Sequence, residues 1–232
     1  MGILDKLLNK TANAVGNGVR DAVRNGVQTA VTGAKTANSG NVQAAQAVGA
    51  SVNGSGVTMT TGKTPQGYAS VTVTFDALPT TLAELQALPL ADLGTPYGTA
   101  ALTVAALNRY EDDRAATHEM VNFLRGPRPM SAYEEQFLRD RLAGKMYVIR
   151  SYWAGTSPQN SYAPTLPYSV TFFEDPYSYQ NEGYCRLNCR SSGADSPRQI
   201  TLRKKESTGE WFLWENYLLP DIRIPASADP WA

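Results

Sequence analysis

Cysteine and histidine are nearly missing from this chain. Its 232 residues hold two cysteines and one histidine. A structural zinc site takes four nitrogen or sulfur ligands, so this set is too poor for one. The sequence predicts no metal and no cofactor. Cys185 and Cys189 lie in YCRLNCR. On a strand they would share a face ~13 Å apart, at roughly 3.3 Å per residue, which is beyond disulfide reach. They read as small buried apolar residues and fit a reducing, cytoplasmic compartment. Charge of one sign is not in excess either. The 21 basic residues balance 21 acidic ones, so composition gives no global polyanion or polycation signal. No apolar run approaches the length of a membrane-spanning helix. The opening MGILDKLLNK carries Asp5, Lys6 and Lys10 with no apolar stretch behind it, which argues against a secretory leader. Lys6 stands where a myristoylation signal carries Ser or Thr.

Aromatics are absent before Tyr68. The first 54 residues are instead rich in Gly, Ala, Asn, Thr, Val and Gln, a composition that cannot build a globular core. Within them, NAVGNGVRDAVRNGVQTAVT repeats with a period of four. On a helix one column is all valine: Val15, Val19, Val23, Val27 and Val31. The neighbouring column is small and includes Gly18 and Gly26. At about 100° per residue the valine column drifts about 40° per repeat. It therefore winds slowly around the helix and makes no coiled-coil seam. Ile3, Leu4, Leu7 and Leu8 add a bulkier apolar tip. The glycines weaken such a helix, so something must order it. Two devices would do so. The tip and valine band insert into an anionic membrane surface while Lys6, Lys10, Arg20, Arg24 and Lys35 meet headgroups. Alternatively, the small column lets copies pack closely. A flexible tail is the third reading. The texture of NGVQTAVTGAKTA resembles the lipid-binding repeats of synucleins. The organisation expected is an amphipathic helix over residues 1–37, a flexible tether over 38–54 and a folded body over 55–232.

The body reads as α+β. GVTMTTG and ASVTVTFDAL alternate with period two and predict two strands, joined through KTPQGY as a hairpin. About four helices follow. Thr81 caps TTLAELQAL with Glu84 nearby, and PYGTAALTVAALNRY is apolar at Ala101, Val104, Ala105 and Leu107. EDDRAATHEMVNFLRG runs from acidic to basic, as the helix dipole favours. Ser131 with Glu134 forms a capping box for SAYEEQFLRDRLAG, which Gly144 stops. Val148–Trp153, Tyr168–Phe173, YCRLNCR, RQITLRKK and EWFLWENYL then predict an antiparallel meander. Helices followed by a meander ending in a Trp-bearing strand resemble the NTF2-like cone.

No catalytic constellation stands out. His118, in THEMVNFL, has no nucleophile motif and no second histidine of a zincin. Glu134 and Glu135 point about 100° apart on a helix. The sequence therefore predicts a non-enzymatic interaction or scaffold module, with a small-ligand pocket or enzyme in the body as the alternative. SSGADSPR is the candidate ligand loop: Gly193 suits positive φ, Asp195 and Ser196 suit an Asx-type turn, and Arg198 is placed to pair with Asp195. Alternation turns Arg186, Asn188, Arg190, Thr201 and Arg203 outward, with Lys204 and Lys205 at the strand end. That face would suit phosphate. Yet Glu206, Glu210 and Glu215 lie near, and no stacking aromatics interleave the basic residues in sequence, so nucleic acid ranks third. Tyr177, Tyr179 and Tyr184 suit a binding rim, and Trp211 and Trp214 should face opposite sides.

From about Leu82 the chain resembles an uncharacterised bacterial family, a domain of unknown function common in gut Firmicutes. The motifs that carry it are MVNFLRGPRPMSAYEEQFLRDR, EDPYSYQNEGY, SSGADSPR, WFLWENYLLPDIRIP and DPWA. Proteins of similar opening sequence sometimes place a zinc ribbon before this domain; here that stretch has no cysteine. The resemblance implies a bacterial cytoplasmic α+β module and transfers no functional residue. The expected location is cytoplasmic, with the N-terminal helix able to hold the protein at the inner face of the membrane or against copies of itself.

Overall fold

The computed structural model describes residues 51–54 and 56–231. The tetrapeptide segment, with Ile3, Leu4, Leu7, Leu8, the valine column, Gly18 and Gly26, lies outside the described residues. Seven strands form one sheet in sequential order: β1 Ser51–Gly54, β2 Val57–Lys63, β3 Ala69–Phe75, β4 Tyr168–Phe173, β5 Tyr184–Cys189, β6 Arg198–Lys204 and β7 Trp211–Asn216. Every neighbouring pair is antiparallel. Among the described residues the α-helices form one insertion between β3 and β4: α1 Leu82–Ala87, α2 Pro96–Leu107, α3 Arg114–Arg125, α4 Ala132–Leu142 and the single turn α5 Tyr147–Arg150. The fold is α+β, as the pattern of elements predicts. The sheet begins with β1, inside the stretch whose composition reads as tether. Three strands precede the helices, so the helices-then-meander order behind the cone likeness holds only from α1 onward.

The strands follow their alternation. Val57, Val71, Val73 and Phe75 are buried. Their neighbours on the other face pair as hydroxyls, Thr72 with Thr171 at 2.8 Å and Thr74 with Ser169 at 2.9 Å. On β5 and β6, Cys185, Leu187, Cys189, Ile200 and Leu202 are all fully buried. Cys185 pairs across the sheet with Leu202, and Leu187 with Ile200. Asn188, expected outward and solvated, is buried because the Glu174–Gly183 connection folds over it. Its amide donates to Asp175 Oδ2 at 3.0 Å.

The central helix α2 is buried at every position. Its sequence, PYGTAALTVAAL, has no charged residue, and a helix apolar all round must be packed all round. The caps form as their residues require. Thr81 Oγ1 accepts from Glu84 N at 3.2 Å. The Glu84 carboxylate does not complete a capping box; it turns back to Thr80 N at 2.7 Å. Ser131 and Glu134 make both arms of theirs.

Val148–Trp153, expected as a strand, is the turn α5 followed by a bend. Val148, Ile149, Tyr152 and Trp153 are buried. Spacing of i, i+1, i+4 and i+5 is helical, so one-sided burial overrides the β-branched preference. Trp153 meets Phe75 edge-on with centroids 6.1 Å apart, which ties the bend after α5 to β3. Its indole N–H donates to Asn108 Oδ1 at 3.1 Å.

Candidate functional surface at the β7 edge

β7 ends the sheet, and an open edge invites pairing with other chains. The helical layer closes much of this one. Trp211 N donates to Leu93 O at 2.8 Å, and Thr99 Oγ1 donates to Trp211 O at 2.8 Å. Further along, Arg128 Nη2 donates to Trp214 O at 2.8 Å. The register shifts here: Thr201 pairs with Glu215 but Leu202 with Leu213, leaving Trp214 as the extra residue of a bulge. Bulges re-aim side chains. Leu213 goes into the core, and the half-buried Trp214 meets Tyr184 edge-on at 5.7 Å.

Two guanidinium groups lie on this indole. Arg128 is 4.1 Å from the ring centroid and Arg203 is 4.7 Å. Arg203 is also 5.4 Å from the Tyr184 ring, its direct cross-strand partner. Basic and aromatic side chains thus interleave, contrary to the expectation from sequence. The interleaving runs across strands, where a linear reading does not look. Arg203 and Lys205 make no ion pair among the described residues, while Lys204 reaches Glu206 at 3.6 Å. These cations, with Phe212 and Trp214, line a hollow of about 570 Å³. Beyond Trp214 a second hollow, of about 440 Å³, is lined by Tyr177, Tyr184, Arg186 and Thr201. Tyr177 and Tyr184 do come together as a rim. Tyr179 does not join them, because its hydroxyl donates to Glu174 at 3.1 Å.

A third recess, of about 390 Å³, opens between α3, α4 and β7. Arg125 stands on its wall, 7% exposed, with Nη2 on Glu134 Oε1 at 2.7 Å and Nε on Arg128 O at 3.0 Å. Burial draws the Arg125 guanidinium below its ordinary value, and Glu134 opposes that. Burial also pushes Glu134 upward, but the N–H and hydroxyl of Ser131 together with Arg125 outweigh it, leaving the carboxyl below its usual range.

The candidate loop is occupied by its own chain. Gly193 does not have positive φ. It is glycine because a Cβ would run into the Tyr162 hydroxyl and sit 2.7 Å from Ile222 Cγ2. Arg198 does not pair with Asp195. It donates to Pro220 O at 3.0 Å, Asp221 O at 2.9 Å and Ser196 O at 3.0 Å. Asp195 pairs instead with Arg223. The loop therefore fastens residues 220–223 to the body.

Cys185, Cys189 and His118 line none of these three recesses. Burial pushes the Cys185 thiol up to about 12 and raises Cys189 too, so neither offers a thiolate. His118 Nδ1 faces Glu135 Oε1 at 3.8 Å, and its ring lies 6.2 Å from Tyr110. Among the described residues no helix is long and apolar enough to cross a membrane.

No curated protein matches the chain, and no solved structure does. A family match covers α1 to β7, starts just after β3 and so takes in all of the surface around Trp214. By this match, over residues 77–226, the chain belongs to the family described as a domain of unknown function, DUF6935.

Proposed function

We propose that the protein is a non-enzymatic interaction module whose body receives an anionic partner on the face around Trp214. One observation carries this reading: Arg128 and Arg203 lie on a single indole with Lys204 and Lys205 beside them. Guanidinium groups held on rings lose little freedom when an anion arrives. Among the described residues, only Glu134 and Glu206 answer these four cations within ion-pair distance. The N-terminal segment supplies attachment in the cytoplasm, either to the anionic inner face of a membrane or to further copies. The valine stripe, the apolar tip and the five basic residues support that half of the reading.

Single-stranded nucleic acid is the second reading, because aromatic rings beside cations suit stacked bases and phosphates. Fluorescence anisotropy with oligouridylate and oligoglutamate of matched charge separates the two. Arg203→Ala with Lys205→Ala should weaken the bound oligomer at least tenfold, and unchanged affinity defeats the proposal. For the attachment half, Val19→Asp with Val23→Asp should remove the full chain from anionic vesicles in flotation, or lower its mass in light scattering. If both readouts stay as in the wild type, the segment is a tail.

A further inference from the structure

The recess between α3, α4 and β7 has a chemistry different from the cationic face beside it. Leu107, Val121, Phe137, Leu138, Leu213 and Leu219 form the apolar part of its walls. Its volume, about 390 Å³, lies toward the lower end of small-molecule pockets, roughly 300–1,000 Å³. An apolar recess of that size suits a short chain or a single ring rather than a polymer.

One charged side chain inside it is incompletely used. Arg125 is held by two of its three nitrogens, Nε on Arg128 O and Nη2 on Glu134. Nη1 donates to no group among the described residues. The buried side-chain atoms without partners there are Arg109 Nε, His118 Nε2 and Arg186 Nε, so Nη1 keeps contact with solvent. Arg125 is otherwise 7% exposed, so that solvent belongs to the recesses it lines. Arg128 adds a second guanidinium on the lining, 3.7 Å from the same Glu134 oxygen. Glu134 Oε2 is taken by Ser131 N and Oγ at 2.8 and 2.9 Å. Two positive groups thus share one carboxylate. Glu215, the other carboxylate on the lining, pairs with neither and raises the Tyr217 hydroxyl. The four charged groups on the lining, Arg125, Arg128, Glu134 and Glu215, balance, but the Nη1 group of Arg125 keeps N–H donors with no partner among the described residues.

We infer that this recess is a binding site for a free amphiphilic carboxylate, with its apolar chain among the leucines and its carboxylate at Arg125 Nη1 and Arg128. A carboxylate is the anion of choice because it is planar and matches the guanidinium edge. The chain should be about eight to ten carbons for a pocket of this size. This site goes beyond the anionic-partner reading, which concerns the outer face of the sheet.

The test titrates the full chain with decanoate, decanol and decyltrimethylammonium below their micellar concentrations, read by calorimetry and by tryptophan fluorescence. Decanoate should bind saturably at one site. Decanol should bind at least tenfold more weakly, and the cation should show no saturation. Affinity for decanoate should fall as pH drops through the carboxylate range. Arg128→Gln should weaken decanoate about fivefold, and Val121→Phe, which fills the recess, should remove binding. Near-ultraviolet circular dichroism checks that both variants stay folded. Arg203→Ala with Lys205→Ala, which removes two of the four outer cations and none on the recess lining, should leave decanoate binding intact even if no oligomer binds the outer face. Equal binding of all three amphiphiles, or decanoate binding unchanged by both Arg128→Gln and Val121→Phe, overturns the inference; so does the absence of saturable decanoate binding.

Discussion

The two halves of the sheet share one core and have different outer faces. Inward, Val73 opposes Val170 on β3 and β4, and Leu187 opposes Ile200 on β5 and β6; all four are buried. Outward, the β3–β4 half pairs hydroxyl with hydroxyl, Thr72 with Thr171 and Thr74 with Ser169. The β5–β7 half pairs Tyr184 with Arg203 and sets two guanidinium groups on Trp214. A hydroxyl ladder satisfies itself and leaves no field. A ring that holds Arg203, which makes no ion pair among the described residues, leaves both a field and a contact surface. The proposed anionic partner belongs to the second half by this contrast.

The largest effects should appear where the halves are the same. Phe75→Ala should cost about 3–5 kcal/mol and Leu187→Ala about 2–5 kcal/mol in denaturant unfolding, both in one transition. Two separate transitions would break the shared core. Gly126→Ala comes next, at about 1–3 kcal/mol. Gly126 has φ of +58° and a Cβ there would strike the Phe212 ring. This change should also displace Arg125 and Arg128 and so weaken anion binding, whereas a purely local effect would leave binding intact.

Glu134→Gln should cost roughly 1 kcal/mol near neutral pH, given the partial exposure of the carboxyl. Its folded pKa is lowered, so the wild type holds this contribution above the ordinary glutamate value, about 4.5. It loses it as pH falls through the lowered folded value. Urea midpoints of the two proteins should therefore converge in acid; a constant gap would contradict the assignment. Smallest of all, Thr72→Ala should cost about 0.2–1 kcal/mol and leave anion binding unchanged. Arg203→Ala should do the reverse, shifting stability by less than about 0.5 kcal/mol while weakening the anion.

Much of this contrast is legible in the residues. Period-two alternation finds β2, β3, β5 and β6, and the inward set Cys185, Leu187, Cys189, Ile200 and Leu202 follows from it. The Ser131 box and the all-apolar TAALTVAAL also speak for themselves. What a linear reading misses depends on neighbours in space. Tyr184 stands beside Arg203 only once the β5–β6 register is known. Trp214 is set among cations by a bulge that no local residue announces. Arg128 arrives from the connection between α3 and α4, 86 residues away in sequence. Gly193 shows the opposite error, since its reason is crowding by Tyr162 and Ile222 rather than backbone conformation. Val148–Trp153 shows how β-branched residues mislead when burial falls on one side of a turn.

The most direct test compares three full-length proteins, all carrying Lys6→Gln, Lys10→Gln, Arg20→Gln and Arg24→Gln to silence the N-terminal cations. The first has no other change, the second adds Arg203→Ala with Lys205→Ala, and the third adds Thr72→Ala with Thr171→Ala. Affinity for labelled oligouridylate and oligoglutamate is measured across a salt series. The account predicts that at least one oligomer binds the first and third proteins alike. It predicts that the second binds at least tenfold more weakly, with a salt slope shallower by about two if the ligand is oligouridylate. Equal affinity in all three, or binding of neither oligomer, would contradict it.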